Sequence, residues 1–176
     1  MEHISESKSV DPFVELASLA VGAFVKSGRT LAVPEPVPSE MRSRAGVFVS
    51  IKKGEQLRGC IGTFFPSGET IAHEIVANAI KSASSDPRFP PIDETELASL
   101  MISVDVLSEP ESCNENQLDP SIYGVIVESG WRRGLLLPDL EGVETVADQV
   151  AIARRKAGIN PDEPASLFRF TVERHQ

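Results

Sequence analysis

The sequence predicts an α+β fold. Two segments alternate apolar and polar residues on either side of a glycine-containing turn, which is the pattern of a β-hairpin. Three other segments repeat apolar residues at helical spacing. The regular alternation of one strand with one helix that builds a doubly wound parallel sheet is absent, so we expect antiparallel strands with helices packed on them.

The predicted helices begin and end at capping residues. Asp11-Pro12 opens the first and Gly28 closes it, while Thr145 caps the third, which ends at Gly158. The second helix is predicted over about 69–84. On a helical projection its only polar sector holds a small group of side chains: Glu74, Asn78 and Lys81. Most of the circumference of that helix should therefore be buried.

The predicted strands follow the period-two pattern. The first hairpin has its turn at Lys53-Gly54 and the second at Ser129-Gly130. The strands are predicted over 47–51, 56–64, 100–106, 123–127, 131–137 and 168–172. Residues 111–119 are predicted to form a polar loop.

The charge balance argues against two classes of partner. Lys and Arg number 17 against 26 Asp and Glu, which gives a net charge of −9 and a pI near 4.9. Nucleic acids and anionic membranes both attract basic surfaces, so neither is expected as a partner. The basic clusters 132–133 and 154–156 are expected to pair with the excess acid.

The cysteine and histidine content argues against a disulfide scaffold and a zinc site. The chain has two cysteines and three histidines and lacks a CxxC or HxxxH spacing. We therefore expect no metal and no cofactor, and a reducing, cytoplasmic location. Residues 1–10 read as a flexible polar start, and residues 11–176 as a single domain. No stretch approaches the ~18 apolar residues of a membrane-spanning helix.

The segment Leu57-Arg-Gly-Cys-Ile-Gly62 carries the main candidate site. Strand alternation predicts that Arg58 and Cys60 share a face, where the guanidinium could activate the thiol or hold an anion. Gly59 and Gly62 indicate a bulge or a close approach by a ligand or another backbone. The alternative is structural: a buried cysteine, an arginine paired with a surface carboxylate, and glycines that permit packing.

Two residues outside this segment are candidates for the same site. His73, in the apolar arc of the second helix, could be the base for Cys60 or an ordinary core histidine. Arg88, in the rigid loop Asp86-Pro-Arg-Phe-Pro-Pro91, could hold a carboxylate or phosphate, or only pair with Asp86. Cys113 has acidic and polar neighbours and is expected to be an inert surface thiol.

Six segments in this order resemble the AMMECR-type domain, in particular the A protein of the AmmeMemoRadiSam system. They are 46–52, the signature 57–62, the proline-rich loop 86–91, 123–127, 132–138 and 153–158. The resemblance covers nearly the whole chain and implies about one complete domain. It implies an antiparallel sheet flanked by helices, with a smaller α/β subdomain. Members of this family occur alone or fused to a Memo-like domain related to extradiol dioxygenases.

Two functions are consistent with these residues. The first is binding of an unknown small molecule or thiol-dependent catalysis, with Cys60 and His73 as catalytic residues and Arg58, Gly59, Gly62 and Arg88 as ligand-binding residues. The second is a non-catalytic interaction module. The resemblance implies a Memo-like protein and a radical-SAM protein as partners in a shared pathway. It brings no metal to this chain, which lacks the histidine-rich ligand set of a dioxygenase.

Overall fold

The computed structural model describes residues 10–176. The chain divides into two compact units, Met1–Val106 with Arg174–Gln176, and Leu107–Glu173. Helices and two antiparallel sheets confirm the predicted α+β class. The predicted flexible start lies outside the described residues except for Val10, and a single domain over 11–176 stays a prediction.

The regular elements alternate along the chain without a simple repeat. The helices are α1 (Pro12–Ser27), α2 (Ile71–Ser84) and α3 (Val146–Ala157). The strands are β1 (Val47–Lys53), β2 (Gln56–Thr63), β3 (Leu100–Leu107), β4 (Glu111–Cys113), β5 (Gly124–Ser129), β6 (Arg132–Leu136), β7 (Ser166–Phe170) and β8 (Val172–His175). Short 3₁₀ helices span Ser39–Met41, Glu94–Ser99 and Glu115–Gln117.

The predicted caps form as expected. The Asp11 carboxylate accepts the N–H of Phe13 at 2.8 Å, and Gly28 ends α1 in the left-handed conformation at φ 67°. Thr145 and Gly158 bound α3 in the same way. The second helix begins at Ile71 after a Thr70 cap, two residues later than predicted.

The sheet of the first unit has the order β2-β1-β3-β8, which leaves β2 at an edge. Helix α2 packs on β1 and β2 and also contacts α1, so the apolar core lies between the helices and the sheet. Two of the three residues of the polar sector of α2 are buried too: Glu74 is 1% exposed and Asn78 is 0% exposed, whereas Lys81 is exposed. Both buried side chains form hydrogen bonds to β1, β2 or the loop after β2, and Asn78 also donates to Glu74.

The sheet of the second unit has the order β4-β7-β5-β6, with α3 packed on β5 and β6. Two predictions about this part of the chain were wrong. The predicted polar loop 111–119 contains β4, because Glu111–Cys113 pairs with β7. The predicted last strand is two strands, β7 and β8, which belong to different sheets. None of the helices in residues 10–176 has the length and apolar character needed to cross a membrane.

Candidate functional site

The first hairpin places Cys60 beside Ser50. These residues are direct partners in the β1–β2 register, so their side chains lie on the same face of the sheet. The Ser50 hydroxyl donates a hydrogen bond to Cys60 Sγ at 3.2 Å. The Cys60 side chain is half-buried and forms no disulfide. The thiol is therefore held in one place without being sealed in the core.

The proline-rich loop covers the free edge of β2 at Cys60. Asp86 is only 4% exposed, and its Oδ2 accepts the Cys60 backbone N–H at 2.9 Å. The Arg88 guanidinium donates to both Asp86 oxygens, from Nε at 3.0 Å and from Nη2 at 2.7 Å. The same Nη2 donates to the Cys60 carbonyl oxygen at 3.2 Å. The loop thus replaces a neighbouring strand and fixes the arginine in a bidentate geometry.

Opposite charges stabilise the contact between Asp86 and Arg88. Hydrogen bonds from Arg88 hold the pKa of the Asp86 carboxyl well below its usual range, despite burial. In return, the hydrogen bond to Asp86 raises the pKa of Arg88. The Arg88 side chain nevertheless stays 55% exposed, and its guanidinium carbon lies 5.4 Å from the Phe89 ring centroid. The structure therefore presents an ordered, accessible cation that contacts the backbone of Cys60.

Arg58, the predicted partner of Cys60, makes its contacts elsewhere. The β1–β2 register shifts between Ile51 and Lys52, which leaves Arg58 as the unpaired residue of a bulge and disrupts the alternation on which the prediction depended. Its guanidinium donates to both oxygens of Glu96, at 3.1 and 2.9 Å, and to the Pro90 carbonyl at 2.8 Å. Arg58 thereby lowers the pKa of Glu96 to about 2. The Arg58 side chain is only 14% exposed. Arg58 is therefore a structural residue that holds the proline-rich loop in place.

Contacts within the protein account for both glycines of the signature. A Cβ on Gly59 would overlap the Ser82 carbonyl of α2, and a Cβ on Gly62 would overlap the Phe48 ring. The Ser82 hydroxyl also joins the two strands, since it accepts the Ile61 N–H and donates to the Val49 carbonyl, both at 2.8 Å. The glycines therefore permit close packing of α2 and Phe48 on the hairpin.

His73 lies at the other end of α2 from this contact. Its ring Nδ1 is 2.8 Å from the Thr70 hydroxyl, which caps the helix. Nine residues separate His73 from Ser82, which is about 13 Å along a helix axis. The structure therefore brings Ser50, Asp86 and Arg88 to Cys60, and it does not bring His73 there.

A second polar cluster surrounds the buried carboxylate of Glu74. From the sequence, Glu74 was predicted only to lie in the polar sector of α2. Glu74 accepts hydrogen bonds from the Thr63 hydroxyl and from the backbone N–H groups of Ser67 and Gly68. Burial raises the pKa of Glu74, but these hydrogen bonds outweigh it and leave the pKa below its usual value. The cluster holds the loop after β2 onto α2. In the sequence, the only indication of this cluster was that Glu74 and Asn78 are one helical turn apart.

The Cys113 thiol and a possible metal site are the other candidates. Cys113 is buried, and burial rather than nearby carboxylates raises the pKa of its thiol, so the expectation of a surface position was wrong. Among residues 10–176, no group of three or more His, Cys, Asp or Glu side chains is placed to hold a metal ion.

Comparison with known proteins decides the family. The AMMECR1 family model matches residues 14–175, almost the whole described chain. The chain belongs to the AMMECR1 family. A Thermotoga maritima member of similar length is 48% identical over 169 residues, covering 94% of this chain and 97% of that protein. A crystal structure of an uncharacterised Pyrococcus horikoshii protein shares 32% identity and superposes with a TM-score of 0.84, covering 92% of this chain and 88% of that one.

Another relative shows this AMMECR1 domain within a longer chain. A Clostridium acetobutylicum protein is 46% identical over 177 residues, which is 99% of this chain. The matched region is only 38% of the Clostridium protein.

Ser50 was not predicted as part of the site. Ser50 is separated from Cys60 by the hairpin turn, and only the strand register shows that they are partners. A register counted from the Lys53-Gly54 turn without the bulge would shift the partner of every β1 residue from Ile51 back to Val47 by one residue.

Proposed function

We propose that this AMMECR1-family protein binds a small anionic molecule at Cys60 and Arg88 and uses the Cys60 thiol as its reactive group. The observation that carries the proposal is the Arg88 guanidinium, fixed by buried Asp86 beside a half-buried thiol. A guanidinium in a fixed orientation is a good ligand for carboxylate or phosphate groups.

The division of roles follows from the contacts. Asp86 occupies Nε and Nη2 of Arg88, and the exposed remainder of the guanidinium is available to a ligand. Ser50 orients Cys60 Sγ by donating a hydrogen bond to it from its hydroxyl. In a reaction, the sulfur would attack an electrophilic carbon of the bound anion, the leaving group would depart with the bonding electrons, and the thiol proton would pass to solvent. Arg58, Gly59 and Gly62 would then act by shaping the hairpin, and His73, whose ring contacts Thr70, would have no part.

A protection experiment tests this proposal. Cys60 would be alkylated with iodoacetamide in a Cys113→Ser background, with inorganic phosphate, succinate or neutral methyl acetate present at constant ionic strength. We expect the anions to slow alkylation in the parent protein and to lose that effect in Arg88→Gln, with methyl acetate inactive in both. Equal protection in Arg88→Gln, or no protection by either anion, would contradict the proposal.

A second function is favoured by the length of the Clostridium relative. An AMMECR1 domain that forms 38% of a longer protein has other parts of that chain beside it, so docking on a partner is consistent with this fold. Trp131, at the turn between β5 and β6, is 91% exposed, and exposed tryptophans often anchor interfaces. We propose, as the alternative, an interaction module that binds a Memo-like protein and acts in a pathway with a radical-SAM protein.

Co-purification with a Memo-like protein separates the two functions. The alternative predicts a complex that is weakened by Trp131→Ala and unaffected by Cys60→Ala. Absence of a complex, together with a turnover that Cys60→Ala abolishes, would contradict it.

A further inference from the structure

Helix α1 and the segment after it form an open groove in the first unit. The groove has a volume of about 700 Å³. Gly22 and Ala23 of α1 and Leu31 from the following segment lie along it, with Leu19 on the rim. Leu19 is 56% exposed.

No contact within residues 10–176 requires a glycine at position 22. A helix with glycine in its interior is less stable than one with alanine there, because glycine gives the unfolded chain more conformational freedom. A Cβ on Gly22 would meet no atom within 4 Å, and its φ lies outside the left-handed region. This contrasts with Gly59, where Ser82 occupies the space that a side chain would need. Among residues 10–176, no atom fills the space that a side chain at Gly22 would take.

The rim of the groove is positively charged. Lys26 and Arg29 line it, and neither makes an ion pair with any residue in the described part of the chain. None of the ten lining residues is acidic, although the whole protein has a net charge of −9. Two exposed, unpaired cations next to an apolar floor are complementary to a ligand that is acidic on one side and apolar on the other.

We propose that this groove docks an acidic amphipathic helix of a partner protein. The small side chains at Gly22 and Ala23 allow a second helix backbone to approach closely, as small residues do at helix crossings. Leu19 would then be covered by apolar side chains of the partner, and Lys26 and Arg29 would face its carboxylates. The proposal is independent of Cys60, so its failure would leave the small-molecule site untouched.

A displayed peptide library tests the proposal with the full chain. The probe is a set of 16-residue helices with fixed Leu at positions spaced i, i+3, i+4 and i+7, and with the other positions varied among Glu, Lys and Gln. We expect enrichment of Glu over Lys. Selected peptides should bind at least about tenfold more weakly to Gly22→Leu, which fills the groove, and to the double variant Lys26→Glu/Arg29→Glu.

A matched control separates the groove from general electrostatics. The double variant Lys52→Glu/Lys81→Glu makes the same change in net charge on β1 and α2, and it should bind the selected peptides as the parent protein does. No enrichment, enrichment of Lys, or binding that is indifferent to Gly22→Leu would overturn the proposal. Self-association of the parent protein that Gly22→Leu abolishes would also overturn it, because the occupant would then be a second copy of this chain.

Discussion

Asp86 binds the Arg88 guanidinium with both of its carboxylate oxygens, at 3.0 and 2.7 Å, and is itself almost completely buried. One of these oxygens also accepts the backbone N–H of Cys60. A single buried carboxylate therefore connects the proline-rich loop, the edge of β2 and the exposed cation of the candidate site. Removing it should disturb all three.

Substitution of the Asp86 carboxylate should destabilise the protein. In Asp86→Asn, the amide cannot accept all the donors that the carboxylate accepts, so Arg88 or the Cys60 N–H loses its partner. We expect a loss of about 2 kcal/mol or more in the free energy of unfolding, measured by urea denaturation. Glu94→Gln removes an exposed carboxylate from the following 3₁₀ helix and is the control. Equal stability of the two variants would show that the Asp86 contacts are unimportant.

Two glycine-to-alanine substitutions should have opposite effects. Gly59→Ala places a Cβ against the Ser82 carbonyl, and such overpacking costs about 1–3 kcal/mol. Gly22→Ala adds a Cβ in open space within a helix and should stabilise the protein by up to about 1 kcal/mol. Thermal unfolding of both variants beside the parent protein measures the difference. A Gly59→Ala variant as stable as Gly22→Ala would contradict the packing described for the hairpin.

The Arg58–Glu96 pair predicts a specific dependence of stability on pH. The pKa of Glu96 is about 2 in the folded protein, below the ~4.3 of an unperturbed glutamate. Because the unfolded state binds the proton first as pH falls, the stabilisation from this pair is complete above pH ~4.3 and is lost toward pH 2. Glu96→Gln should therefore reduce the slope of unfolding free energy against pH in this window.

The control for that slope is Glu55→Gln, at the exposed turn of the first hairpin. It should keep the slope of the parent protein. Identical slopes for Glu96→Gln and Glu55→Gln would mean that the Arg58–Glu96 pair does not stabilise the fold.

The fold class and most element positions could be predicted because their signals are local. The caps at Asp11, Gly28 and Gly158 lie next to the residues whose conformation they determine, and all three form as expected. The strand β4 could not be predicted in the same way. Its three residues become a strand only by pairing with β7, more than fifty residues later in the sequence.

Two residues of the candidate site could be selected from the sequence, but most of the contacts between its residues could not. Cys60 and Arg88 were both selected from the sequence, and the structure places them together. Arg58 was assigned to Cys60 by strand alternation, which fails at the bulge where Arg58 has no partner in β1. The glycines of the segment indicated a bulge or a close approach, but not which residue would be unpaired. The contact between Ser50 and Cys60 depends on the register, and the burial of Glu74 depends on how α2 lies on the sheet; neither is encoded by nearby residues.

The central claim is that Arg88 presents a positive charge to ligands of the Cys60 thiol, and charge-selective alkylation tests it most directly. In a Cys113→Ser background, the rate constants for anionic iodoacetate and neutral iodoacetamide would be measured at one pH, and their ratio compared with that of Arg88→Gln. We predict that the ratio falls about two- to fivefold in Arg88→Gln, the size expected for an exposed ion pair, and is unchanged in the remote variant Arg29→Gln. An unchanged ratio in Arg88→Gln, with Cys60 reacting normally, would contradict the account.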